Sequence, residues 1–328
     1  MLINYLLIAV SAFLFNLLCL SIIKKSAFKY NMLVFHGVPH IGGIAIGISF
    51  ILVSLTAFFI KGIFPKEALG IIVAASAMLI SGIIDDIWEL SVAAKFAFQI
   101  IAVFLLIFCG VKTQIVYIGD IPNILITLFW VLGITNAFNH LDVMDGLAGG
   151  TAAIISLAFV FLSILSQDIK IIILALSLVG AILSFLIYNL PPAKIYMGNS
   201  GSHLLGFVLA SVALIISYAP MEKKIALLSP ILILGLPIFD TAFLILMRIK
   251  KDKSIFKKSN DHMALRFLKK GYSKYRTLSV MLGYGLLCSI SGVALTQVTF
   301  FLSLVIIGLI ILIGLIITRN MSRVAING

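Results

Sequence analysis

Apolar runs close to twenty residues long recur along almost the whole chain, and they limit its fold before any motif is considered. About 20 apolar residues in a helix cross the hydrocarbon of a bilayer. On that basis eleven spans are predicted, at approximately 3–23, 41–60, 67–84, 92–110, 122–139, 149–166, 169–188, 202–219, 225–248, 277–296 and 298–318. The expected fold class is an all-α polytopic membrane protein, with residues 1–328 forming one integral membrane domain and no internal repeat. Composition excludes a soluble domain of this length, since 62% of residues are hydrophobic, 11% are charged and mean hydropathy is +1.22. Cys19, Cys109 and Cys288 all fall inside apolar runs and read as packing residues rather than redox or metal groups. The first run is followed by Lys24 and Lys25 without a small-residue cleavage site, so it reads as a retained span rather than a signal peptide.

Orientation is read from basic residues near the span ends. One alternating set of loops holds Lys24, Lys25, Lys29, Lys95, Lys194, the run from Arg248 to Arg276, Arg319 and Arg323, which is 18 of the 24 Lys and Arg. The N-terminus is therefore expected outside and the C-terminus in the cytoplasm. This topology brings four polar islands to the cytoplasmic side: Asp85-Asp86, Asn136–Asp145, Lys194–Ser202 and Arg248–Arg276. A short strand pair is expected on the other side, around Gln114–Gly119. The largest loop, about 249–276, is strongly basic. It suits anchoring to anionic headgroups, a contact with phosphate, or both. Nucleic acid is disfavoured, because no recognisable binding module accompanies the charge.

Carboxylates beside hydrocarbon are costly and mark function more often than not. Asp85-Asp86 in GIIDDIWEL suits a hard cation shared with substrate phosphates, a general base, or simply two headgroup-level acids. In NAFNHLDVMDGLAGG, Asn139, Asp142 and Asp145 recur every three residues, close to one helical face. The glycines that follow suit either a ligand or close helix packing. In YNLPPAKIYMGNSGSHLLGF, a helix start rich in small residues suits an anion. His36 and His40 flank Gly42-Gly43 and read as headgroup-level histidines, while His140 and His203 lie inside motifs. Asp240, beside Pro237, is expected to organise the loop after it, and Trp88 and Trp130 to mark the membrane interface.

In this order and spacing the islands resemble one family, the polyprenyl-phosphate N-acetylhexosamine-1-phosphate transferases (glycosyltransferase family 4). The resemblance runs from VPHIGGIAI through GIIDDIWEL, Lys95 and Gln99, NAFNHLDVMDGLAGG, PPAKIYMGNSGSHLLGF and GLPIFDTAFLILMR to DHMALRFLKKGYSKYRT. It implies Mg²⁺-dependent transfer of a sugar 1-phosphate from a UDP-sugar to undecaprenyl phosphate, with release of UMP, at the cytoplasmic face of a bacterial inner membrane. UDP-N-acetylglucosamine is the first donor to consider, and a homodimer is the family-based expectation. By the same resemblance Asp85, Asp86 and His262 are catalytic, and Asn139, Asp142, Asp145 and Asn189 lie near nucleotide and sugar. Lys95 and Arg266 lie near phosphate, and Asn199 and Asp85 near the metal. Three departures stand out. Asn199 occupies a position where the family has Asp, His262-Met263-Ala264-Leu265 replaces a His-x-His-His loop, and Val143 follows Asp142 where Gly is usual. A catalytically silent relative acting as scaffold or regulator, or a secondary transporter, are the alternatives. A transporter should place its acids near the midplane rather than at one interface.

Overall fold

A computed structural model describes residues 2–30, 32–35, 37–218, 223–252, 254 and 261–324. The chain is built from helices α1 (Leu2–Tyr30), α2 (Gly42–Lys61), α3 (Lys66–Trp88), α4 (Val92–Phe108), α5 (Asp120–Leu141), α6 (Leu147–Leu165) and α7 (Ile169–Asn189). These are followed by α8 (Gly198–Ile215), a 3₁₀ turn (Lys224–Leu228), α9 (Ser229–Ile233), α10 (Gly235–Ile249), α11 (Met263–Lys269), α12 (Lys274–Leu295) and α13 (Phe300–Ser322). Two-residue strands, β1 (Val34–Phe35) and β2 (Val38–Pro39), pair antiparallel before α2. No strand is found around Gln114–Gly119, where Asn123 instead takes the Ile115 N–H at 2.9 Å and donates to the Ile115 and Gly119 carbonyls.

Among the described residues nine helices are long and apolar enough to cross a membrane, and ten if the 3₁₀ turn with α9 and α10 form one span bent by 71°. The chain is thus an all-α polytopic membrane protein, and the expected eleven spans differ from it in two places. α4 is apolar but only 17 residues long. The predicted span 225–248 is interrupted at Leu234, because Pro237 has no N–H to return to the Ile233 carbonyl. The Ser289 hydroxyl on α12 donates to that carbonyl at 3.1 Å, so the break carries its own compensation.

Small residues set how closely the helices approach. α1 lies along α7, and a Cβ on Gly180 would come within 2.1 Å of the Ala9 carbonyl oxygen. The buried Asn16 amide donates from α1 to the Ala181 carbonyl (2.8 Å) and Ser184 hydroxyl (2.5 Å) of α7. Trp130 is committed in the same way, donating from α5 to the Ala210 carbonyl at 3.1 Å. Trp88, at the end of α3, is 70% exposed. Two apolar clusters result, a large one among α1–α8 and a second joining α10–α13 to the turn between α5 and α6.

Candidate active site

The start of α8 is the centre around which the polar residues gather. Gly198 has φ +76°, and a Cβ there would meet the Asp86 carboxylate at 2.7 Å. Asp86, from the end of α3, accepts the Asn199 N–H at 2.7 Å and the Ser200 N–H at 3.0 Å. A carboxylate is favoured at a helix N-terminus, where N–H groups lack intrahelical partners and the dipole is positive. The amides expected to receive an anion from outside therefore already hold one supplied by the protein. Close backbone contact makes this reach feasible: a Cβ on Gly82 would lie 2.4 Å from the Ser200 Cα, and one on Gly43 only 2.0 Å from the Gly201 nitrogen. The VPHIGG segment completes the floor, with Tyr196 N–H donating to Pro39 O (2.9 Å), Gly42 N–H to Tyr196 O (2.9 Å) and Gly43 N–H to Met197 O (2.8 Å). His40 packs edge-on between Phe35 and Tyr196, and burial pushes its pKa down. His36 lies outside the described residues.

Asn139 joins this centre from α5, its amide donating to Asn199 Oδ1 at 3.1 Å and Ser202 Oγ at 3.0 Å. The expectation of a continuous helical face through Asn139, Asp142 and Asp145 needs correction, because α5 ends at Leu141 and a turn leads to Gly146, with φ +78°, before α6. Asp145 is paired with Lys274 of α12 at 3.1 Å and accepts the Ala193 N–H at 3.3 Å. Asn189, buried at the end of α7, accepts the Gly146 N–H and donates to the Ile195 carbonyl, both at 2.9 Å, so it clamps the two loops together. Asp142 has no partner among the described residues. Burial, then repulsion from Asp86 and Asp145, pushes its pKa from 3.8 up to about 7.

Asp85 faces elsewhere. It is 3% exposed, pairs with Lys95 of α4 at 2.8 Å and accepts the Leu90 N–H at 2.8 Å. Together with Ser81, Gln99 and His203 the pair lines a small cleft closed by Met78, Leu90 and Phe98. Asp86, not Asp85, is the acid that meets Asn199. His262, at the head of α11, sits beside Asp240, with its ring 6.2 Å from that of His140. Arg266 is 1% exposed. Its guanidinium donates to the Asp261 carboxylate (2.7 Å) and carbonyl (3.3 Å) and to the Met321 (3.1 Å) and Val324 (2.6 Å) carbonyls at the end of α13. This residue, expected near phosphate, thus fastens the C-terminal helix to the 261–266 segment. Within the basic loop, 253 and 255–260 lie outside the described residues.

No group of three His, Cys, Asp or Glu able to hold a metal occurs among the described residues. What does converge is two carboxylates that repel one another, Asp86 and Asp142, neither with a cationic partner among the described residues; Asp86 holds the Asn199 N–H, and Asn139 holds the Asn199 side-chain oxygen. Gly82 and Lys274 belong to this centre, and the sequence reading, which held both inside its motifs, gave neither a role of its own. Gly82 lies one helical turn before Asp86 and so on the same face, which was the available signal. Lys274 lies 129 residues beyond Asp145, where no local pattern could have paired them.

Fold and centre together define a polytopic helical membrane protein with a carboxylate-lined polar site at one end of its bundle. A family model described as Glycosyl transferase family 4 matches residues 68–217. A Bacillus subtilis (strain 168) protein named as a probable undecaprenyl-phosphate N-acetylglucosaminyl 1-phosphate transferase is 34% identical over 295 residues, covering 86% of this chain and 80% of its own length. The decaprenyl-phosphate N-acetylglucosaminephosphotransferase of Mycobacterium tuberculosis (strain ATCC 25618 / H37Rv) is 31% identical, over 74% of this chain and 68% of its own. A phospho-N-acetylmuramoyl-pentapeptide-transferase of Bacillus cytotoxicus is also 31% identical, over 52% of this chain and 50% of its own. The chain belongs to glycosyl transferase family 4.

Proposed function

We propose that this chain transfers an N-acetylhexosamine 1-phosphate from a UDP-sugar to undecaprenyl phosphate at the cytoplasmic face of a bacterial inner membrane, starting a cell-envelope glycan. The observation that carries the reading is the meeting of Asp86, Asn199 and Asn139 at the start of α8, with Asp142, which has no partner among the described residues, close enough to feel the Asp86 charge. An oxygen of the lipid phosphate attacks the sugar-linked phosphorus, the bond to the UMP oxygen breaks, and UMP leaves with the electron pair. One phosphoanhydride replaces another, so positioning and charge neutralisation dominate the chemistry.

Two neighbouring carboxylates without a cation fit a divalent metal of the Mg²⁺ type, which commonly takes one or two carboxylates and completes its shell with substrate phosphates and water. Asp86 and Asp142 would hold it, with the Asn199 side-chain oxygen, and bound Mg²⁺ would supply charge neutralisation for the diphosphate. Because Asn199 is neutral, the two aspartates carry the negative charge of the set. Asn139 fixes the Asn199 side chain, and Asp145 holds Lys274, whose side chain is 56% exposed and can reach a phosphate. Lys95 has three N–H donors and directs one to Asp85, leaving the others for an anion.

The test is UMP release by purified protein from a panel of UDP-N-acetylhexosamines with undecaprenyl phosphate, with Mg²⁺ and with chelator. Release with one donor that the chelator removes is expected. Folded protein that releases no UMP with any donor would contradict the proposal and favour the silent scaffold.

A further inference from the structure

Asp240 is buried to 1% exposure on α10, and no Lys or Arg pairs with it among the described residues. A carboxylate left in such a place needs donors. It has two. Met263 N–H, the first of α11, donates to Oδ1 at 3.1 Å, and Nδ1 of His262 lies 3.4 Å from Oδ2. The backbone contact fixes the carboxylate, and the fixed carboxylate places an acceptor at one defined nitrogen of the ring. Where a carboxylate oxygen accepts, the ring nitrogen that faces it is the donor, here Nδ1. The His262 ring is 6.2 Å from that of His140, and His140 directly follows Asn139 in the carboxylate centre. Asp240 therefore connects α10, the head of α11 and the end of α5 through a single imidazole.

We propose that Asp240 is a positioning residue for the transferase, holding His262 with its Nδ1 protonated and its ring fixed beside His140, so that Nε2 is the nitrogen left to accept hydrogen from the bound substrates. The logic is that of a carboxylate that orients a histidine and fixes its tautomer without itself reacting. The inference rests on the transferase reading for its consequence and on the Asp240, Met263 and His262 contacts for its geometry. Asp240→Asn keeps an oxygen to accept from Met263 but can offer the ring an N–H, which favours the other tautomer.

Two measurements test this. In the activity assay, Asp240→Asn is expected to lower kcat at least about tenfold while leaving KM for the UDP-sugar nearly unchanged. The double variant with His262→Gln should be no slower than His262→Gln alone, because residues acting as a unit are not additive. Losses that multiply in the double variant would overturn the proposal. The second measurement does not need turnover: in protein labelled with ¹⁵N-histidine, the resonance absent from His262→Gln should report a protonated Nδ1 in the parent and should move in Asp240→Asn. An unprotonated Nδ1 in the parent would overturn the proposal even if Asp240→Asn fails to fold. A protein that releases no UMP yet shows the protonated Nδ1 would refute the transferase reading and leave the positioning of His262 standing.

Discussion

A helix turns by about 100° between successive residues, which is why Asp85 and Asp86 share a motif and meet different partners. Asp85 turns toward Lys95, and Asp86 toward the start of α8. Read as letters, the pair looks like one site, and only the packing of α3 against α4 and α8 separates its members. Asp142 makes a sharper case, because its environment opposes the ionised form. Its pKa of about 7 exceeds the ordinary 3.8, so the folded protein keeps a proton that the unfolded chain releases. The stability this group contributes is complete below about pH 4 and is lost as pH rises through about 7. Asp142→Asn should therefore flatten the fall of melting temperature across that interval in detergent-solubilised protein. It should also raise the melting temperature at pH 8, where the parent holds the carboxylate ionised, and lower UMP release about 100-fold. Parallel melting curves for parent and variant across the interval would show that Asp142 is not the group responsible.

Elements were legible to different degrees, and the differences have physical causes. The apolar runs anticipated every long helix, because hydrocarbon demands uninterrupted apolar segments and leaves few alternatives. The interruption at Leu234 was not anticipated, although Pro230, Gly235 and Pro237 stood in the sequence, because the run stays apolar across it and the compensating Ser289 comes from α12. Likewise the regular spacing from Asn139 to Asp145 suggested helix, while the turn depends on Asn189 holding Gly146 from α7. The closeness of α3 and α8 hangs on Gly82, and this gives a prediction at the scale of a helix pair. Gly82→Ala places a methyl 2.4 Å from the Ser200 Cα, and the two helices must separate. Overpacking of this kind costs about 1–3 kcal/mol. The variant should melt lower than the parent and release less UMP, because Asp86 loses its grip on the α8 amides. A variant with parental melting temperature and activity would show that the crossing is looser than these distances imply.

For the whole molecule, alternation of spans places the ends of α3, α5 and α7 and the starts of α6, α8 and α12 together, and the contacts among Asp86, Asn139, Asp145, Asn189, Asn199 and Lys274 bear that grouping out. The opposite end holds the Lys112 and Asp120 pair and the Glu67 and Lys170 pair. The bias of basic residues predicts that the carboxylate end faces the cytoplasm, and the orientation can be read directly. After replacement of Cys19, Cys109 and Cys288, a thiol introduced by Lys194→Cys should resist an impermeant maleimide added outside intact cells, and one introduced by Lys112→Cys should react. The reverse pattern would invert the topology and place the carboxylate centre outside. Family membership was legible because six short motifs keep their order, whereas the donor sugar was not, since a sugar is selected by surfaces that form only when distant segments meet. The most direct test of the central claim is to identify both products of one turnover, the nucleotide by chromatography and the lipid by mass, in the parent and in Asp86→Asn. A transfer of sugar 1-phosphate predicts UMP together with a polyprenyl diphosphate-linked N-acetylhexosamine, both lost in the variant. UDP together with a monophosphate-linked sugar would mean that the sugar alone is transferred and would contradict the account.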